Sequence, residues 1–226
     1  MTFSIVARDP DNGRFGVAAA TCHLAVGATV PHIRAGVGAV ATQAHTNPYI
    51  GICGLERLEQ GMDARSVLAS LLDDDDGRDI RQFHLIDATG RTAGWTGPGC
   101  PDCACHISRP NLTVAGNCLV GVAVLLAMLD AFEAARGDKL GHRMVQALLA
   151  GEAMGGDHRS GTATSAAVQV SGEAAFPLLD LRVDYRDDAV LELERIYRHS
   201  QDIWAQQWRD ELRTLPTLRR RDDAGP

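Results

Sequence analysis

The sequence predicts an α+β fold of four layers, helix, sheet, sheet, helix, and three observations point to it. Segments with a two-residue apolar period are joined by tight turn signals, the mark of antiparallel hairpins. Segments with three-and-four apolar spacing come in pairs between the strand groups. The resulting order is strands, two helices, strands, two helices, strands, helix, so the helix pairs must cover two antiparallel sheets from outside.

Residues 2–8 (TFSIVAR) place Phe3 and Ile5 on one face of a strand and Thr2, Ser4, Val6 and Arg8 on the other. Asp9-Pro10-Asp11-Asn12-Gly13 is a turn signal, and Phe15 to Cys22 returns as the second arm of a hairpin. Gly36 to Gln43 is a strand of small residues, which allows layers above and below to approach closely. Ile50 to Gln60 and Ala64 to Leu72 then carry helical spacing, with Asn47-Pro48 and Asp63 placed to start them. The acids Asp73 to Asp76 read as a solvated helix end. Strands return at Gln82 to Asp87 and Thr92 to Thr96, around Ala88-Thr89-Gly90, and again near Leu112 to Ala115. Helices are expected over Cys118 to Ala135 and Leu140 to Ala150, strands over Ala163 to Ser171 and Ala174 to Tyr185, and one long helix from Asp188 to about Leu212.

The chain has 226 residues, 45% of them hydrophobic, which suits one domain over 1–213 with a polar tail at 214–226. The net charge of −7 argues against a nucleic-acid or acidic-membrane partner, since both call for a basic surface. Arg219-Arg220-Arg221 is offset by Asp222 and Asp223. Arg8 and Asp9 interrupt the first apolar segment, so no secretory signal is read, and Leu119 to Leu129 is too short to span a bilayer. A soluble cytoplasmic protein with six thiols is the expectation. Lys139 is the single lysine, which removes most lysine-assisted mechanisms. No phosphate loop, dinucleotide fingerprint or HExxH motif occurs, and no cofactor is expected.

Five stretches in order, MTFSIVARD, GVGAVATQAHTNP, AGNCLVG, GGDHRSGTATSAA and DLRVD, resemble the DUF1028 family of bacterial and archaeal proteins over roughly residues 2–190. The resemblance implies membership of the N-terminal-nucleophile hydrolase superfamily, whose proteasome-like members have the αββα sandwich, but it implies no substrate. It also implies site roles for Asp157, Arg159 and Ser165, and it places Arg34 where the proteasome's helper lysine would fall. An arginine there supplies charge but exchanges no proton at neutral pH. The stretch Cys100 to His106 (CPDCACH) is richer in cysteine than the family pattern, and Thr164 stands where a Gln is commoner.

In such a fold Thr2 is the candidate nucleophile. A small second residue favours removal of Met1, and a free Thr2 carries both a hydroxyl and an α-amine of unperturbed pKa about 7.7 to 8.0. The amine accepts the hydroxyl proton as the oxygen attacks an amide-like carbonyl, then protonates the leaving nitrogen, and water hydrolyses the ester. Gly116-Asn117, where a strand is expected to turn into a helix, is the candidate oxyanion donor, with helix capping an equal reading for Asn117. Ser4 shares the face of Thr2 roughly 6.6 Å away and is placed to hold a water. Thr21, Gln43 and Asn47, near strand ends, either line the pocket or bond within loops. Asp157 and Arg159 orient the amine or a substrate carboxylate, or pair with each other. Cys100, Cys103, Cys105 and His106 form a rival cluster, for zinc, for redox chemistry or as inert thiols.

The functional expectation is hydrolysis of a C–N bond in a small amide-like substrate. The alternatives are a fold relative that binds a small ligand without turnover, and a zinc or thiol protein. Val190, Leu193, Ile196, Tyr197, Ile203 and Trp204 form an apolar stripe that packs on the sandwich or on a second copy, and superfamily precedent favours a homo-oligomer.

Overall fold

The computed structural model describes residues 2–156 and 162–215. The strands are β1 (Thr2–Arg8), β2 (Phe15–Thr21), β3 (Pro31–Arg34), β4 (Gly38–Ala44), β5 (Arg81–Asp87), β6 (Thr92–Thr96), β7 (Cys105–Arg109), β8 (Leu112–Asn117), β9 (Ser165–Val170) and β10 (Leu179–Val183). The helices are α1 (Pro48–Glu59), α2 (Ala64–Asp74), α3 (Ala123–Ala134), α4 (Leu140–Ala153), α5 (Ala189–His199) and α6 (Ile203–Thr214). A six-stranded sheet runs β10-β9-β2-β1-β8-β7, and a four-stranded sheet runs β3-β4-β5-β6. Every neighbouring pair in both is antiparallel.

Three apolar clusters separate the four layers. Phe3, Ile5, Leu125, Met128, Met144, Leu148 and Leu193 join the six-stranded sheet to α3, α4 and α5. Val40, Ile50, Leu58, Val67, Phe83 and Leu85 join the four-stranded sheet to α1 and α2. Between the sheets lie Val6, Phe15, Val17 and Ile86 with the small residues Ala19, Ala39, Ala41 and Ala167. Small side chains on facing strands let the two sheets pack closely there, as the composition of residues 36–43 predicts.

Local chemistry sets several boundaries. In the β1–β2 turn, the Asp9 carboxylate accepts from Asp11 N at 3.0 Å and Asn12 Nδ2 at 2.7 Å, and Gly13 takes φ +73°. The predicted caps stand: Asn47 Oδ1 accepts from Tyr49 N at 3.1 Å and Asp63 Oδ1 from Ser66 N at 2.8 Å. Among the acids at the end of α2, Asp74 pairs with Arg57, and Asp75 accepts from Gly77 N at 2.9 Å and Arg81 Nε at 2.9 Å.

Two strands lie where the sequence pattern marks none, and two expectations need correction. Pro31–Arg34 and Cys105–Arg109 are strands, held by pairing with β4 and β8 rather than by their own pattern. Helix α3 begins at Ala123 instead of Cys118, because Cys118 adopts φ +52° and breaks helical geometry. The last helix is two helices, parted at Ser200-Gln201-Asp202. Of its stripe, Val190, Leu193 and Tyr197 are buried, Ile196 packs partly against the same cluster, and Ile203 and Trp204 stay exposed. Among the described residues no helix is long and apolar enough to cross a membrane.

Candidate functional site

Alternation along β1 turns Phe3, Ile5 and Ala7 toward α3 and α4, and Thr2, Ser4 and Val6 toward the other sheet. Thr2 opens β1, facing Thr21 of β2 on one side and Asn117 of β8 on the other. It is 7% exposed, and its Oγ1 donates to Thr21 Oγ1 at 3.1 Å. Six buried polar residues gather behind it, where the two sheets face each other: Ser4, Gln43, Gln82, His84, Thr113 and Asn117.

The hydrogen bonds among them run in one direction. Ser4 Oγ donates to Gln43 Oε1 at 2.5 Å. Ser4 Oγ also lies 2.8 Å from His84 Nε2, and the His84 ring has a further hydrogen bond with the backbone of Thr113. Gln43 Nε2 donates to Thr2 O at 3.4 Å and to Gln82 Oε1 at 2.7 Å. Gln82 Oε1 also accepts from Asn117 Nδ2 at 3.0 Å, while Gln82 Nε2 lies 2.8 Å from Gly116 O, 3.0 Å from Thr96 Oγ1 and 3.1 Å from Cys105 O. Thr96 Oγ1 in turn meets His106 Nδ1 at 2.9 Å. Both carboxamide orientations follow from this chain, and the backbone of Thr2 is tied through Gln43 to the opposite sheet.

Burial, and next the neighbouring His106, hold the pKa of His84 down at about 3, so its ring is neutral at physiological pH. Burial also lowers the pKa of His106. The network is therefore uncharged, and no side-chain base within it is hydrogen-bonded to the Thr2 hydroxyl among the described residues.

The other predicted site residues are spread more widely. Ser165 is buried in β9 opposite Thr21; it donates to His23 O at 2.6 Å and accepts from Val26 N at 3.1 Å, holding the loop after β2. Asn47 caps α1. Arg34 ends β3 and forms an ion pair with Glu59 of α1, away from the start of β1, so an arginine in the helper-lysine place is not what the structure shows. Asp157 and Arg159 lie outside the described residues. Asn117 neither caps a helix nor precedes one directly: it is the last residue of β8, and the N–H groups of Cys118 and Leu119 are engaged by Pro101 O at 3.4 Å and Cys103 O at 3.1 Å. The expected helix-start oxyanion donors are therefore absent there, and the Asn117 side-chain amide is what remains.

Cys105 and His106 are successive residues of β7 and point to opposite faces, Cys105 to the α3–α4 core and His106 to Thr96 between the sheets. Cys100 donates to Arg81 O at 3.2 Å and Cys103 is exposed. Among the described residues no group of three or more His, Cys, Asp or Glu side chains is placed to hold a metal ion.

The sequence matches DUF1028, described as a family of unknown function, over residues 2–193. The chain belongs to this family. A crystal structure of a DUF1028 family protein from Silicibacter pomeroyi is similar at a TM-score of 0.85 and 32% identity, covering 96% of this chain and 95% of that one. The structure titled Anbu (ancestral beta-subunit), from Yersinia bercovieri, is more remote, with a TM-score of 0.42 and 11% identity over 96% of this chain and 99% of that one, a likeness too slight to carry an argument. No curated protein matches the chain. Gln82, His84 and Thr96, which sequence reasoning passed over, enter this DUF1028 site because β5 and β6 turn them toward β1. Their signal was a polar residue at every second place of a strand, which also describes a solvated face.

Proposed function

We propose that this DUF1028 protein is an N-terminal-nucleophile amidohydrolase acting on a C–N bond of a small substrate, with Thr2 as nucleophile once Met1 is removed. The observation that carries the reading is the place of Thr2, first on an inner strand, its hydroxyl against Thr21 and its flank against Asn117, over a neutral buried network.

With the α-amine free, Thr2 Oγ1 attacks the amide carbon while the amine, directly or through one water, takes the hydroxyl proton. Thr21 Oγ1 accepts from that hydroxyl and so aims it before the attack. Asn117 Nδ2 spends one hydrogen on Gln82 and keeps a second to donate to the developing oxyanion. The tetrahedral intermediate collapses to an ester on Thr2, the amine protonates the leaving nitrogen, and water then cleaves the ester to regenerate Thr2. The absence of a charged group in the described network makes the α-amine the base this chemistry requires.

Intact mass of the untagged protein should show a chain beginning at Thr2. A screen of small amides should then give turnover that falls about a thousandfold or more in Thr2→Ala and is partly kept in Thr2→Ser. A ligand that binds wild type and Thr2→Ala equally, with no turnover in either, would instead support a binding protein.

A further inference from the structure

The far end of β1 holds a second cleft. Six rises along the strand put its rim about 20 Å from Thr2. It has a volume of about 750 Å³, and the β1–β2 turn, the start of α4, and α5 and α6 enclose it. Six cationic side chains line it against four carboxylates, in a chain whose net charge is −7. Lys139, the single lysine, is among them.

The carboxylates do not neutralise these cations evenly. Asp210 pairs with Arg213 at 2.9 Å, Asp138 lies 3.7 Å from His142, and Asp9 is occupied by the turn donors Asp11 N and Asn12 Nδ2. Lys139 donates to Gln201 Oε1 at 2.9 Å, and Arg209 to Ser200 O at 2.5 Å. Arg14, Arg136 and Arg143 have no carboxylate within 4.0 Å among the described residues. The guanidinium of Arg143 is nevertheless held in place: its carbon sits 3.9 Å over the Phe132 ring and its Nε donates to Phe132 O at 3.3 Å. Burial disfavours its charge; the carboxylates Asp9, Asp11 and Asp138 favour it and Arg136 opposes it, and on balance its pKa stays below the ordinary arginine value. Guanidinium forks match the paired oxygens of phosphate and carboxylate, and several converging on one cleft suit a ligand with more than one such group.

We infer that the cleft between the β1–β2 turn and α4–α6 binds a small polyanion, bearing phosphate or several carboxylates, through Arg14, Arg136 and Arg143, separately from the Thr2 site. The inference does not depend on turnover at Thr2.

Calorimetric titration of the full chain with pyrophosphate, and separately with citrate, tests it. One-to-one binding of either probe is expected, weakening roughly tenfold in Arg14→Gln and in Arg136→Gln and weakening further as salt is raised. Arg65→Gln, on the exposed face of α2, should bind like wild type. Binding of pyrophosphate alone assigns a phosphate-bearing ligand, and of citrate alone a polycarboxylate. No binding of either, unchanged affinity in both cleft variants, or an equal loss in Arg65→Gln overturns the inference. Circular dichroism separates lost binding from lost folding, and because Arg14 and Arg136 make no ion pair among the described residues, two independent variants carry the test.

Discussion

Gln82 concentrates more of the buried polar network than any other side chain described. Its carboxamide meets Gln43, Asn117, Thr96, Gly116 O and Cys105 O while fully buried. Gln82→Leu keeps the bulk but orphans several donors and acceptors at once, each costing about 1–3 kcal/mol when buried unpaired. Urea denaturation should show a loss of at least about 2 kcal/mol; a loss near zero would mean that the network reorganises around the leucine. Sequence alone placed Thr2 and Ser4 on one strand face correctly, because a two-residue period leaves no other choice. It did not disclose that Gln82 and His84 face inward. Along β5, Gln82, His84 and Ile86 alternate with Phe83 and Leu85, which reads as polar outside and apolar inside until a second sheet is found to cover the polar side.

At the scale of elements, close approach between strands and helices is set by glycine. A Cβ on Gly38 of β4 would lie 2.5 Å from Ile86 O of β5 and 2.7 Å from Leu58 Cδ1 of α1. The nearest atom is backbone and cannot swing aside, so Gly38→Ala should destabilise by about 1–3 kcal/mol, read from the shift in urea midpoint at unchanged slope. A midpoint equal to wild type would show that β4 and β5 can part without cost. The hairpin turn at residues 9–13 and the caps Asn47 and Asp63 were legible because each acts within a few residues. The start of α3 was not, since the apolar run from Cys118 onward fits a helix throughout and only the turn packed against Pro101 and Cys103 delays it. The cysteine spacing left its reading open for a similar reason: it is compatible with metal ligation, redox chemistry or inert thiols until β7 sends Cys105 and His106 to opposite faces.

For the whole molecule, buried histidines make stability depend on pH. The unfolded chain takes up a proton at His84 near its ordinary value of 6.5, whereas the folded protein refuses it until about 3. The folded value is the lower one, so this contribution is intact above pH 6.5 and is lost progressively as pH falls toward 3. By about pH 5 the loss from His84 is about 2 kcal/mol. Burial lowers His32 and His106 as well, which adds in the same direction. Denaturation midpoints at neutral and mildly acidic pH should therefore separate more in wild type than in His84→Leu; equal separations would place the dependence elsewhere.

The sequence by itself determined the α+β class, the four-layer order, most strands and helices, and the shared face of Thr2 and Ser4. These follow from periodicity, turn residues and caps, which act over a few neighbouring positions. The tertiary structure decided which polar residues are buried, that Asn117 ends a strand, that Arg34 pairs with Glu59 away from Thr2, and that arginines far apart in sequence share one cleft. Those outcomes depend on which sheet covers which face and on contacts between distant segments, and no local pattern encodes them.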